Sequence, residues 1–524
     1  MKVEEVVRKQ KMFMNSDGQK NSLCVSLVEI KIGVFFTALF CLFASRHLYE
    51  GHNWGDDFGL YLQLADNISM ARPYNTFNGG IEVPPGFPFI IYIWKILFGS
   101  SFFSLKIINI VCWTGAAWSA FVLARMTLGR GFSLIVLLIH FITPLYFLQQ
   151  QSIITDIPFV FLVNLTLLAA VTASRTREDA KTHKQVLVVA SLGLSLLCAL
   201  LLRPAGLPLA AGISAGLLVH TLAGIKQRRL ILFRFVALST VVITYILYNR
   251  YFGASSSAHL KIALMHIAPP GSTLIEAVAI SVLRRSIEEF YNISLMVYFY
   301  NADFYASISV LSLVVVGGLI YAYGIRDYVL PLYFLAYVAV VVITPWPGGP
   351  RYLLPVLSVG IIFSLAPLSF GFDLMKRLRL HSAVIGAVVS VFLAVYGVSA
   401  AIQIQQTRAV ALINDDEISD AATLELIEWS KAHIGPEERL CSFKPRALMY
   451  LLTISTCHLP PDAPLPVSKF LAEQHARFGA VILRAGYNYE QLKLEMDADP
   501  DIVMVFHNKE YAVYRSNANV TGDK

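Results

Sequence analysis

The feature that most constrains this chain is a series of apolar runs, each near the length needed to cross a lipid bilayer, separated by short basic clusters. A spanning helix needs about 20 mostly apolar residues, because each residue advances it by about 1.5 Å. Such runs centre on Leu27 to Ser45, Ile107 to Met126, Phe132 to Leu148, Pro158 to Thr172, Val186 to Leu202 and Leu207 to Leu222. Others follow at Phe235 to Tyr248, Ala306 to Tyr323, Val329 to Ile343, Tyr352 to Phe370 and Ala383 to Ile402, giving about eleven spans. The shorter runs reach the required length through flanking aromatic and snorkelling residues. Composition agrees, since only 15% of the 524 residues are charged where a soluble domain carries about a quarter. With a mean hydropathy of +0.60, a soluble globular enzyme is excluded. The net charge of +7 comes from the clusters between the runs, which is the pattern of cytoplasmic loops, so no nucleic-acid partner is expected.

The polar segment 1–26 carries Lys2, Arg8, Lys9, Lys11 and Lys20 and has no small-residue cleavage site, so the first span reads as a retained anchor. Placing the N-terminus inside puts Arg125/Arg130, Arg175/Arg177/Lys181/Lys184, Lys226/Arg228/Arg229/Arg234 and Lys376/Arg377/Arg379 in successive cytoplasmic connections, as the positive-inside bias requires. The segment Pro85 to Phe98 tests this scheme, because a crossing there would move every later basic cluster outside. It is too short to span, so it reads as a helix in the outer interface with Tyr92 and Trp94 at headgroup level. Residues 46–106 then form one long external loop, and 251–305 form a second with an amphipathic helix on the membrane surface. The membrane region covers 27–410 and the tail 411–524 lies outside.

That tail changes character. EISDAATLELIEWSKAHI is an amphipathic helix, and RLCSF, AVILRA, IVMVF and YAVYR are short β-rich runs, so the tail reads as a small α/β domain. Four cysteines, Cys24, Cys41, Cys112 and Cys198, fall in or beside apolar runs and act as small hydrophobes. Cys441 and Cys457 lie in the tail, where an exported domain permits a disulfide. No thiolate and histidine spacing makes a zinc pattern, and no residue is assigned as a metal ligand.

The polar residues that interrupt this pattern gather on the outer side. Asp56 and Asp57 stand at the start of a helix whose apolar face includes Phe58, Leu62, Ala65 and Ile68. They act either as caps favoured by the helix dipole or as a general base facing an acceptor hydroxyl. Asp156 is either an N-cap before Pro158 or a second acid beside the first pair. Arg203 and Arg351, the latter followed by Tyr352, break apolar stretches at the same side. Each is a snorkelling arginine or a ligand for phosphate, for which the guanidinium fork is well matched. His140 lies mid-span, where a helix-to-helix hydrogen bond is the usual role.

Five stretches now carry a resemblance: GDDFGLYLQLADNI, VPPGFPFIIYIWKILFG, SIITDIPF, LLRPAGL and GGPRYLLPVL. In this order, spacing and sidedness they resemble the GT-C superfamily of membrane glycosyltransferases, in the branch similar to protein O-mannosyltransferases and bacterial aminoarabinose transferases. The resemblance implies an α-helical polytopic membrane protein that moves a sugar from a polyprenyl-phosphate donor to a glycan, lipid or protein acceptor at the external face. It also implies a plasma membrane, the bacterial inner membrane, and membrane lipids as surroundings. Asp56 or Asp57 would take the proton of the attacking hydroxyl, and Asp156 would orient the acceptor or assist the base. Arg351, with Tyr352 beside it, would neutralise the departing lipid phosphate, and Arg203 is added as a second phosphate contact. No bound cofactor is implied, and divalent-metal dependence stays open.

Two departures stand out. Val83 occupies the position before the Pro-Pro step where relatives often carry Lys or His, and Asp57 stands where many carry Glu. The alternative function is a transporter or flippase of lipid-linked saccharides. Such a protein places its polar residues near the midplane and often shows inverted repeats. Here the acids and arginines gather at one face and no repeat is visible, which favours the transferase.

Overall fold

The computed structural model describes residues 25–52, 57–75, 83–176, 182–222, 304–343 except 326, 349–377 and 420–517 except 462, 464–465 and 484–488. It also describes isolated positions within 234–246 and 397–405, and Ile418. Asp56, nearly all of the loop 251–305 and most of the expected span Ala383 to Ile402 lie outside the described residues.

The first helices follow the apolar runs closely. They are α1 (Leu27–Arg46), α2 (Phe58–Ser69), α3 (Gly86–Phe98), α4 (Phe102–Thr127), α5 (Arg130–Ile142), α6 (Pro144–Gln149), α7 (Asp156–Arg175), α8 (Thr182–Leu202) and α9 (Gly206–Leu222). Next come α10 (Phe304–Leu319), a π-helical turn Ile320–Ile325, α11 (Val329–Ile343), a 3-10 turn Gly349–Leu353 and α12 (Leu354–Arg377). Among the described residues, six helices are long and apolar enough to cross a membrane. At 13 residues, α3 is only about 20 Å long and falls short of the hydrocarbon thickness. It buries Phe87 and Ile91 while leaving Phe89, Ile96, Leu97 and Phe98 exposed, so one apolar flank faces outward.

Local chemistry starts these helices. Ser26 and Glu29 form a reciprocal capping box at α1, in which each side chain accepts the other's backbone N–H, and Ser101 caps α4 by accepting from Ser104 N–H. Between helices, apolar contact gives little net driving force in lipid, so close backbone approach and buried polar bonds carry the packing. Helix α9 meets α11 through Gly212 and Gly216, where an added Cβ would lie 2.4 Å from Tyr333 Cα and 2.7 Å from Val329 Cα. A polar seam joins α4, α5, α7 and α12. Asn164 donates to Ser358 Oγ at 2.7 Å and to the Ala116 carbonyl at 3.0 Å. His140 Nε2 lies 2.9 Å from the same Ser358 Oγ, and its Nδ1 lies 2.8 Å from the Val136 carbonyl. A carbonyl only accepts, so in the neutral ring Nδ1 carries the proton and Nε2 accepts from the serine.

The described spans alternate between two ends of this bundle. At one end, Glu29 of α1 pairs with Arg125 of α4 at 3.4 Å. Arg175 of α7 reaches Asp327, just before α11, at 3.3 Å and the Met126 carbonyl at 2.9 Å. His220 near the end of α9 accepts from Tyr328 N–H at that same end. The opposite end carries the first turns of α4, α7 and α12 and the last turn of α8.

The tail folds as an α/β unit: α13 (Ala421–His433), β1 (Arg439–Ser442), α14 (Pro445–Leu452), β2 (Ser455–His458), α15 (Val467–Glu473), β3 (Phe478–Ile482), α16 (Glu490–Ala498), β4 (Ile502–His507) and β5 (Tyr511–Ser516). Its sheet has the order β2-β1-β3-β5-β4, with β2, β1 and β3 parallel and β3, β5 and β4 antiparallel. Cys441 and Cys457 stand opposite each other on β1 and β2 and form a disulfide. Strand β2, of four residues, is the one strand that the β-rich runs did not mark.

Candidate active site

The site forms where two stretches of chain are clasped at the second end of the bundle. Lys106, fully buried near the start of α4, donates to the carbonyls of Tyr49 at 2.9 Å and Gly51 at 2.6 Å. Its ammonium also lies 4.8 Å from the centre of the Tyr49 ring. A buried charge needs such partners, and here they are the backbone leading to the first acidic pair. Asn109, about one turn further along α4, donates to the carbonyls of Gln150 at 3.1 Å and Ser152 at 2.8 Å. Gln151 closes the clasp, accepting from Tyr49 N–H at 3.2 Å and donating to the His47 carbonyl. The chain running into Asp57 and the chain running into Asp156 are therefore held side by side.

Asp57 occupies the N-cap position of α2, yet its carboxylate makes no capping hydrogen bond. Instead Oδ1 accepts from Arg446 Nη1 at 2.6 Å. The side chain of this acid therefore forms no hydrogen-bonded cap on its own helix. The same is true of Asp156, which is the first residue of α7 while Thr155 holds the cap position. Asp156 is buried and forms an ion pair with Arg203, in the short turn between α8 and α9. Arg203, expected as a second phosphate contact, thus has one guanidinium nitrogen engaged by a protein carboxylate.

Three tyrosines complete the cluster. Tyr61, one turn into α2 from Asp57, has its hydroxyl hydrogen-bonded to Thr155 and within electrostatic reach of Asp57, Arg203 and Asp156. Burial first, and the Asp57 charge second, push its pKa above the usual value, so it stays a protonated donor. Tyr337 of α11 lies within reach of Arg203, Asp156 and Tyr352. Arg203 lies 5.8 Å and Arg351 5.2 Å from the centre of the Tyr352 ring. Burial would lower the Arg203 pKa, but Asp156, Tyr337 and Tyr61 outweigh it and raise it above the usual value.

Charge pairing separates the arginines. Arg203 faces Asp156 and Arg446 faces Asp57, whereas among the described residues no carboxylate lies within ion-pair distance of Arg351. Of the residues picked from sequence, Asp57, Asp156, Arg203, Arg351 and Tyr352 come together at one end, and Asp56 lies outside the described residues. Tyr61, Tyr337, Lys106, Gln151 and Arg446 were missed. Tyr61 had a readable signal, four residues after Asp57 on one helix face, and so had Lys106, a charge at the edge of an apolar run. Arg446 had none. Among the described residues, no three His, Cys, Asp or Glu side chains converge as a metal site.

No protein-family model matches the chain, and no curated protein matches it. Solved structures do. ArnT from Cupriavidus metallidurans bound to undecaprenyl phosphate is 13% identical with a TM-score of 0.57, over 94% of this chain and 99% of that one. The same protein in the apo state is 14% identical with a TM-score of 0.58, at the same coverage. An oligosaccharyltransferase from Archaeoglobus fulgidus, in complex with zinc and sulfate, is 13% identical with a TM-score of 0.58, over 85% of this chain and 68% of that one. Both proteins are GT-C glycosyltransferases. At such identities the likeness is one of fold, and the fold is the one the five sequence motifs imply.

Proposed function

We propose that this GT-C fold works as a glycosyltransferase that takes a sugar from a polyprenyl-phosphate donor and attaches it to a glycan, lipid or protein acceptor at the outer membrane face. Asp57, with Asp56 beside it in sequence, takes the proton of the acceptor hydroxyl. The freed oxygen attacks the anomeric carbon, the bond from that carbon to the phosphate oxygen breaks, and its electrons leave with the lipid phosphate. Arg351, stacked on Tyr352, meets the developing phosphate charge. Arg203 holds Asp156 in place to orient the acceptor, and Tyr61 donates a hydrogen bond within the same cluster. Because a lipid phosphate is already a competent leaving group, alignment and charge stabilisation are most of what the protein must supply.

The observation that carries this reading is the convergence at one end of the bundle of Asp57, Asp156 and Arg351, which has no carboxylate partner among the described residues, with the two acids' loops clasped by Lys106, Asn109 and Gln151. The undecaprenyl phosphate bound by ArnT supports a donor of this class. The basic clusters at the opposite end support the outer location, and the disulfide of the tail domain fits an oxidising compartment. About eleven crossings with the N-terminus inside give the same sidedness, in a plasma membrane of bacterial inner-membrane type.

Reconstitution of the protein with labelled polyprenyl-phosphate sugars tests the reading through release of the lipid phosphate. Release that depends on an added hydroxyl acceptor is expected. Movement of intact donor between leaflets, without release, would make the protein a flippase and overturn the proposal.

A further inference from the structure

The tail domain touches the first acidic loop through one helix. Arg446, Met449 and Tyr450 lie on one face of α14, at spacings of three and four residues. Arg446 Nη1 is 2.6 Å from Asp57 Oδ1. Met449 packs on Leu60 and Leu64 of α2. Tyr450 stands with its ring centre 6.4 Å from that of Phe58 and hydrogen-bonds Asp66, which also accepts from Lys95 Nζ of α3 at 2.7 Å. The two helices are in backbone contact at Gly59, where an added Cβ would lie 2.3 Å from the Arg446 carbonyl oxygen and 3.0 Å from Ala447 Cα. A further backbone bond, Ile418 N–H to the His52 carbonyl at 2.9 Å, joins the tail to the same loop.

These contacts divide into two kinds. The Gly59 crossing and the Met449 packing fix α14 against α2 without any charge. The Arg446 and Asp57 side chains are 41% and 47% exposed, so their pair adds little to stability. What the pair does fix is the rotamer of one carboxylate. Among the described residues the second oxygen of Asp57 has no hydrogen-bond partner, and it is left to take a proton.

We propose that the tail domain is a working part of the transfer site, with Arg446 as the positioning residue that holds the Asp57 carboxylate for the acceptor hydroxyl. This rests on the transferase reading given above. It makes Arg446 responsible for turnover and not for donor binding or folding, because its guanidinium reaches the acid and the packing beneath is independent of that pair.

The test uses the full chain in vesicles with labelled polyprenyl-phosphate sugar, read as kcat and KM for lipid-phosphate release. Arg446→Ala should lower kcat about tenfold, within the loss that a small misplacement of a reacting group produces, with KM for the donor and the thermal midpoint unchanged. Arg446→Lys, which keeps a cation near the carboxylate, should recover most of that loss. Gly59→Ala, which pushes on the Arg446 and Ala447 backbone and so separates the two helices without changing the Arg446 side chain, should lower kcat in the same direction. A wild-type kcat in Arg446→Ala would overturn the inference, as would a rise in KM alone, or a loss that lysine does not rescue and that comes with a lowered midpoint. Absence of release by the wild-type protein would instead remove the transferase reading on which the inference stands.

Discussion

At one end of the helical bundle Glu29 faces Arg125 and Arg175 faces Asp327, while at the other Asp156 faces Arg203 and Asp57 faces Arg446. The pairs look alike as ion pairs, and each joins segments distant in sequence. Their surroundings differ. The first end uses its pairs to tie α1 to α4 and α7 to the start of α11, with opposite charges matched one to one. The second end adds three tyrosines, an arginine that faces no carboxylate among the described residues and an acid that does not cap its own helix. A buried ion pair is therefore poor evidence of function by itself. The informative signs are the donors and charges left over after pairing.

Substitutions at the two ends should separate these roles. The largest effects on stability are expected from Arg125→Ala at the first end and Arg203→Ala at the second, since removing one partner of a buried pair costs about 3 to 5 kcal/mol. Thermal unfolding in detergent should show both losses, but only Arg203→Ala should also slow lipid-phosphate release by the folded fraction. Equal release from the two variants would erase the distinction. Removing the disulfide with Cys441→Ser and Cys457→Ser should cost about 3 kcal/mol for a loop of this size, which would appear as earlier proteolysis of the tail domain. Arg351→Ala should weaken donor binding by about 1.5 to 3 kcal/mol, the range for a hydrogen bond to a charged group, so KM for the donor rises while the thermal midpoint holds. The smallest effect is expected from Ser358→Ala. It leaves His140 and Asn164 short of one shared partner, for about 0.6 kcal/mol by analogy with interhelical bonds in lipid.

The same comparison shows which parts of the molecule could be read from sequence. Helices α1, α4, α7 and α8 follow their apolar runs because bilayer length is a local property. The short helix α3 was legible for the same reason, as a run too brief to cross. Strands β1, β3, β4 and β5 were marked by β-rich runs, whereas β2 was not, since Ser455–His458 is four residues long and mostly polar. In the site, Asp57 and Asp156 were visible as acids beside apolar stretches. Their partners were not. Arg446 meets Asp57 across a separation of 389 residues, and Arg203 meets Asp156 across 47. Periodicity reports which face a residue occupies, not which residue that face will meet. Charge alone points Arg203 to a phosphate, and only the fold shows that it also meets a carboxylate.

Under the proposed function, the acids at the second end carry the chemistry while those at the first end hold helices together. Release of lipid phosphate from a labelled polyprenyl-phosphate sugar, measured side by side for Asp57→Asn, Asp156→Asn and Glu29→Gln, tests it most directly. Loss of a positioned general base typically costs about 10²- to 10⁴-fold, so at least one of the first two variants should fall by that much while folded Glu29→Gln keeps wild-type turnover. Unimpaired release by both Asp57→Asn and Asp156→Asn, or a comparable loss in folded Glu29→Gln, would contradict it.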